Sequence, residues 1–315
     1  MNGWLPVIDQ IGHIAIRVRE LEPAVSFASQ VMGMREVERV DDCAYLTLGC
    51  EHHSVQYIAS DRDALDHLGL QAGGPTALAA VRERVDAAGL EIVSRTPLDR
   101  GVSDGFAFVG PEDVVYEVYC GMERDQQAFY PTGVRPDRLG HITLHPKDPE
   151  AVREFLIRIL DFRLTDIIEG EGYFLRCNSD HHGLGLFEGP GTLHHHAWKV
   201  QSVAELGRLA DLLDEHRLRL LWGPVRHGAG NNIAAYFLEP AGSVVEYYAD
   251  MEQILEEGTF EPRTWQSADP RWYSLWAAGR PEGFRDHGLW PVRSRATGKT
   301  DLGIQASRAG VTTSS

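Results

Sequence analysis

The sequence predicts an α+β protein assembled from four βαβββ modules in two homologous halves, and three observations carry that reading. The first is an internal repeat. Gly12-His13-Ile14-Ala15-Ile16 resembles Gly140-His141-Ile142-Thr143-Leu144, and Leu65-Asp66-His67-Leu68-Gly69-Leu70 resembles Leu193-His194-His195-His196-Ala197-Trp198, both at an offset of 128. Phe108-Val109-Gly110-Pro111 through Glu117 resembles Phe237-Leu238-Glu239-Pro240 through Glu246, and His52-His53 resembles His181-His182, at an offset of 129. The second observation is that strand-like alternation and helix-period apolar spacing alternate within each half. The third is length: 315 residues with 43% hydrophobic and 24% charged content suit two medium-sized folded domains.

The elements of the second half follow in order. A strand at residues 140–144 leads to a helix at 149–160, where Val152, Phe155, Leu156 and Ile159 share one face. Strands near 164–168, 172–177 and 183–187 complete that module. The next begins with a strand at 193–200, continues in a helix at 203–216, and ends in strands at 219–222, 234–238 and 243–249. The halves are placed at residues 8–125 and 136–252. A C-terminal extension occupies 253–294, with Trp265, Trp272, Trp276 and Trp290 placed either over a cleft or against the exterior. Residues 295–315, rich in Ser, Thr, Gly and Ala, read as a mobile tail.

Bulk chemistry narrows the partners. A formal net charge of −16 leaves no basic surface for phosphates, so no nucleic-acid partner is expected. Cys43, Cys50, Cys120 and Cys177 form no metal-binding spacing and read as reduced thiols. Residues 1–10 lack a basic, apolar leader pattern, and no apolar run approaches the roughly 20 residues of a membrane helix. The expectation is a cytoplasmic protein without a membrane partner.

Two local patterns then carry a resemblance. Gly223-Pro224-Val225-Arg226-His227-Gly228 is followed by Tyr236-Phe237 and Glu239-Pro240-Ala241-Gly242, and Phe174-Leu175-Arg176-Cys177-Asn178 runs on to His181-His182. With the modular layout, these make the chain resemble the type I extradiol catechol dioxygenases of the vicinal-oxygen-chelate superfamily, across residues 10 to 275. The resemblance implies that paired modules curl into open barrels, that only the C-terminal one is catalytic, and that the protein is a homo-oligomer. It implies Fe(II) as cofactor, with Mn(II) the alternative, and a catechol-type substrate and O₂ as partners.

Two imidazoles and one carboxylate leave adjacent positions open for a bidentate substrate and O₂. The candidates are His141, His195 and Glu246. Within His194-His195-His196 the repeat selects His195, because His67 matches it, and strand alternation then turns His194 and His196 away. The resemblance further assigns His182 to a place beside O₂, and His227 and Tyr236 to the substrate oxygens. Trp222 stands where carboxylate-binding relatives carry arginine, which favours an uncharged or differently placed ring substituent.

The first half retains His13, His67 and Glu117 at the equivalent positions, and His53 matches His182. The partners of His227 and Tyr236 fall at about Leu98 and Ala107, an incomplete acid/base set, so this site is expected to be vestigial and structural. Three other chemistries share the fold: a glyoxalase-type isomerase or lyase, a drug-sequestering binding module, and a 4-hydroxyphenylpyruvate-type oxygenase.

Overall fold

Alternating apolar strands and one-sided helices resolve into two sheets in the computed structural model, which describes residues 6–124, 127, 130–276 and 279–292. In the first half, β1 (Ile8–Val18), α1 (Leu21–Gln30), β2 (Arg35–Val40), β3 (Cys43–Thr47) and β4 (Val55–Ala59) form one βαβββ module. A second contains β5 (Ala64–Ala72), α2 (Pro75–Ala87), β6 (Ile92–Ser94), β7 (Val102–Val109) and β8 (Val115–Met122). The other half repeats the plan with β9 (Arg138–His145), α3 (Pro149–Leu160), β10 (Arg163–Glu169), β11 (Gly172–Arg176) and β12 (Leu184–Phe187). Its last module contains β13 (Thr192–Lys199), α4 (Ala204–Glu215), β14 (Trp222–Arg226), β15 (Ile233–Leu238) and β16 (Val244–Ala249). This is the vicinal-oxygen-chelate fold, α+β with few helices.

In each half the opening strands of the two modules pair antiparallel at the centre. The sheet orders are β2-β3-β4-β1-β5-β8-β7-β6 and β14-β15-β16-β13-β9-β12-β11-β10, so the inner face of each curved sheet receives side chains from both modules. The extension adds β17 (Arg263–Gln266), parallel to β10, as a ninth strand of the second sheet. Residues 295–315 lie outside the described residues. Cysteines 43, 50, 120 and 177 are free thiols, and no helix among the described residues is long and apolar enough to cross a membrane.

Local chemistry explains the elements that frame the site. In α3, Asp148 accepts the Ala151 N–H at 3.0 Å, Pro149 opens the first turn, and Asp161 ends the helix with φ 60°. Its buried face carries Val152, Phe155, Leu156 and Ile159, as the periodicity predicts. Burying each such side chain contributes about 1.5–3 kcal/mol. Phe155 reaches across to Tyr116 of the first half at 5.3 Å between ring centres, so this helix also joins the halves.

One strand departs from expectation. The sequence predicts a strand at 219–222, but residues 219–221 form none and β14 instead covers Trp222–Arg226. The Leu218 N–H still caps α4 by donating to the Leu213 carbonyl, and Arg217 has φ 59°, so these residues are spent turning out of the helix.

Candidate metal centre and active-site cavity

Three strands of the second sheet deliver the candidate ligands, and a fourth carries Tyr236. His141 lies on β9, His195 on β13 and Glu246 on β16, while Tyr236 lies on β15 directly opposite Glu246. The ligand atoms of His141, His195 and Glu246 all fall within 4.8 Å of one another, and all three residues are buried. Glu246 Oε2 lies 3.1 Å from His141 Nε2 and 3.2 Å from His195 Nε2. Gly140 permits this convergence, since a Cβ there would lie 1.8 Å from the Tyr248 hydroxyl.

Hydrogen bonds fix the ring nitrogens. The Phe284 carbonyl, which can only accept, lies 2.7 Å from His194 Nε2, so that nitrogen carries the proton. His194 Nδ1 is then an acceptor, and His195 Nδ1–H donates to it across 2.7 Å. His195 Nε2 is therefore a bare lone pair aimed at a carboxylate oxygen, an arrangement that is repulsive until a cation lies between them. Asn232 Nδ2 donates to Glu246 Oε1 at 3.1 Å and turns Oε2 toward the imidazoles. Burial pushes the Glu246 carboxyl up, but the two histidines outweigh it and hold it well below the usual carboxylate range. The two imidazoles and the one carboxylate thus fit a divalent metal with open positions.

Beside this cluster is a cavity of about 590 Å³, counted to its mouth, a size suited to a small organic ligand. His182, His227 and Tyr236 line it. The Tyr273 carbonyl, 2.6 Å from His227 Nδ1, takes the proton there, so the Tyr236 hydroxyl donates to His227 Nε2 at 2.7 Å. Burial, and then the Glu246 charge, raises the Tyr236 hydroxyl well above its ordinary value and keeps it protonated. Burial also lowers His227.

His182 packs on His141 with ring centres 4.3 Å apart, and its Nδ1 lies 2.9 Å from His181 Nδ1. His181 turns its Nε2 toward Asp166 Oδ2 at 3.3 Å, which commits the His182 proton to Nδ1. Burial, followed by the neighbouring His141 and His181, pushes His182 well below the usual histidine range, so it is a neutral base.

Several lining residues escaped the sequence reading. His194 does not turn away. A bulge between Leu193 and His195 breaks the alternation, and His194 lines the cavity, its ring stacked on His145 at 4.4 Å between centres. His196 does leave the site: Trp198 Nε1–H donates to its Nδ1 at 2.7 Å, and it bonds Glu239 through Nε2 at 3.1 Å. Asn232 has no counterpart in the repeat that could have flagged it. The extension divides its aromatics: Trp272 and Tyr273 line the cavity, whereas Trp276 and Trp290 are exposed. Arg280 lines it too, lying 4.9 Å over the Tyr273 ring, while Trp222 stacks on Tyr236 at 5.3 Å.

The first half holds a second cluster, in which His13, His67, Asp99 and Glu117 are all buried with ligand atoms within 4.8 Å. The expected equivalent of Tyr236, Ala107, does face Glu117 across β7 and β8. The expected equivalent of His227 is corrected by one residue: Asp99 enters the cluster, while Leu98 contributes only its N–H, donated to Glu117 Oε1 at 2.6 Å.

Residues 10–117 and 138–247 match the Glyoxalase/Bleomycin resistance protein/Dioxygenase superfamily. Curated relatives include a manganese-dependent 2,3-dihydroxybiphenyl 1,2-dioxygenase of Geobacillus genomosp. 3, 24% identical over 85% of this chain and 93% of that protein. A metapyrocatechase of Geobacillus stearothermophilus is 26% identical over 85% and 89%. Among solved structures, the Mn(II)-bound glyoxalase from Novosphingobium aromaticivorans superposes with a TM-score of 0.81 at 27% identity, over 89% of this chain and 94% of that one. The substrate complex of homoprotocatechuate 2,3-dioxygenase from Brevibacterium fuscum shares the fold with a TM-score of 0.85, at 20% identity over 95% and 97%.

Proposed function

Because the chain belongs to the Glyoxalase/Bleomycin resistance protein/Dioxygenase superfamily, we propose that it is an extradiol dioxygenase that inserts O₂ beside the diol of a catechol-type substrate. The observation that carries the reading is the His227–Tyr236 pair beside the three-ligand cluster, in one cavity with His182. Metal binding by itself needs none of these three groups. His141, His195 and Glu246 would hold a single Fe(II), or Mn(II), which accepts the same donors. When bound, the metal supplies a place where diol and O₂ meet and a positive charge that favours the catecholate.

The chain's own groups then divide the proton work. His182 presents Nε2 to the cavity as a neutral base, able to take one diol proton and later return it to the ring-opened product. Tyr236 keeps its proton; the hydroxyl that donates to His227 Nε2 in the structure would turn that proton to the substrate oxygen next to it when the diol binds. Trp222, Phe187 and Trp272 shield the ring from water. Arg280 offers the cavity a cation at a place other than the Trp222 position, which fits a differently placed anionic ring substituent.

Oxygen uptake and absorbance after anaerobic Fe(II) loading, with a panel of substituted catechols, test the proposal. Uptake matched by a new yellow product, abolished in His195→Ala, is the expected result. Loss in His67→Ala alone would move the chemistry to the first half. No uptake with any catechol would favour the glyoxalase-type isomerase, the reading that the 27% identity to the Novosphingobium glyoxalase supports.

A further inference from the structure

We propose that the N-terminal half holds a second divalent cation, in a closed structural site formed by His13, His67, Asp99 and Glu117. These residues are buried, and their ligand atoms all approach within 4.8 Å. Asp99 Oδ2 lies 3.0 Å from both His13 Nε2 and His67 Nε2, and Glu117 Oε2 lies 3.2 Å from His13 Nε2.

With neutral imidazoles, the surrounding hydrogen bonds leave this knot of donors turned toward a cation. His67 Nδ1–H donates to Asp66 Oδ1 at 2.8 Å, and Arg17 Nε donates to the other oxygen of that carboxylate at 2.7 Å. The His67 Nε2 that faces Asp99 is therefore a lone pair in the neutral ring. His53 repeats the logic. Glu38 accepts from His52 Nε2 at 3.1 Å, His52 Nδ1 accepts from His53 Nδ1 at 3.0 Å, and His53 Nε2 is left facing Asp99 Oδ2 at 3.3 Å. Glu117 Oε2 has no hydrogen-bond donor. Lone pairs and anionic oxygens converge, with His67 backed by the Asp66 carboxylate and His53 by His52, and outer partners of that kind orient metal ligands.

The chemistry differs from the C-terminal centre at one decisive residue. Asp99 stands where His227 stands in the other half, and it brings a carboxylate into the cluster as a fourth ligand. Ala107 stands where Tyr236 donates. Two imidazoles and two carboxylates neutralise a divalent ion and can fill a tetrahedral shell, and four protein ligands with no open position mark a structural rather than a catalytic site. The ion ties β1, β5, β8 and the loop before β7 together, and its contribution is to folding.

Crystals of the full-length protein, grown with Zn(II) or Mn(II), would show an anomalous peak amid His13, His67, Asp99 and Glu117; no peak there overturns the proposal. Metal analysis of purified protein gives an independent reading. Asp99→Ala, with His67→Gln as a second variant, should lose about one equivalent of metal per chain relative to wild type and melt earlier. Its oxygen uptake per remaining ion should stay within about twofold of wild type, because the site has no open position. Unchanged metal content would overturn the site, and lost uptake in folded Asp99→Ala would overturn its structural role. His195→Ala removes the other ion, so failure here is separable from failure of the ring-cleavage reading.

Discussion

The Tyr236 hydroxyl donates to His227 Nε2, and that nitrogen has no proton of its own to give. Tyr236→Phe should therefore lower kcat by about 10²-fold or more while leaving metal content unchanged, as steady-state oxygen uptake and metal analysis would show. Asn232→Ala should do the reverse: freeing Glu246 Oε1 is expected to weaken metal binding about 10- to 100-fold, measured by titrating metal into apo-protein. The contrast explains what was legible at this scale. His141, His195 and Glu246 could be read because each has a counterpart of its own kind 128 or 129 residues earlier. Asn232, His145 and His194 act through geometry that has no such echo, and a bulge at His194 reverses the side chain that alternation assigns.

At the scale of elements, β17 is held to β10 through a buried carboxylate. Asp166 accepts from Arg263 Nε at 2.9 Å and Trp265 Nε1 at 2.6 Å while facing His181. Burial pushes Asp166 up, but His181, Trp265 and Arg263 outweigh it and leave the carboxyl below its ordinary value. A carboxyl depressed in the folded state stabilises fully above its unfolded value, about 3.9, and that stability disappears as pH falls through the lower folded value. Acid titration followed by tryptophan fluorescence should show the extension loosening below about pH 4 in wild type. In Asp166→Asn the loosening should already be present at neutral pH. β17 was not visible in the sequence, since four residues without apolar alternation carry no period, although its partner β10 was. The α3 boundaries were, because Asp148, Pro149 and a four-residue apolar stripe all mark the same helix.

Across the whole molecule, the halves are joined by buried polar contacts as well as by Phe155. The Tyr57 hydroxyl donates to Glu239 Oε2 at 3.1 Å, and Glu239 also takes the His196 proton. Tyr57→Phe should cost about 1.5–3 kcal/mol in urea denaturation without altering kcat, because the lost bond ends on a carboxylate distant from the cavity. The repeat made two alike sheets predictable, but no pattern in either half announces how they meet. Tyr57 and Glu239 are 182 residues apart and do not correspond in the repeat.

The two imidazole relays beside the C-terminal centre both end on main-chain oxygens, those of Tyr273 and Phe284. No side-chain replacement deletes a peptide oxygen, so the spelling of this segment is free to drift while proton placement at His195 and His227 persists. Its length is not free. Removing one residue beside Tyr273 or Phe284 would shift an anchor by about 3.3–3.6 Å, further than either hydrogen bond can stretch. The constraint here falls on a path of backbone, which residue-by-residue identity does not register.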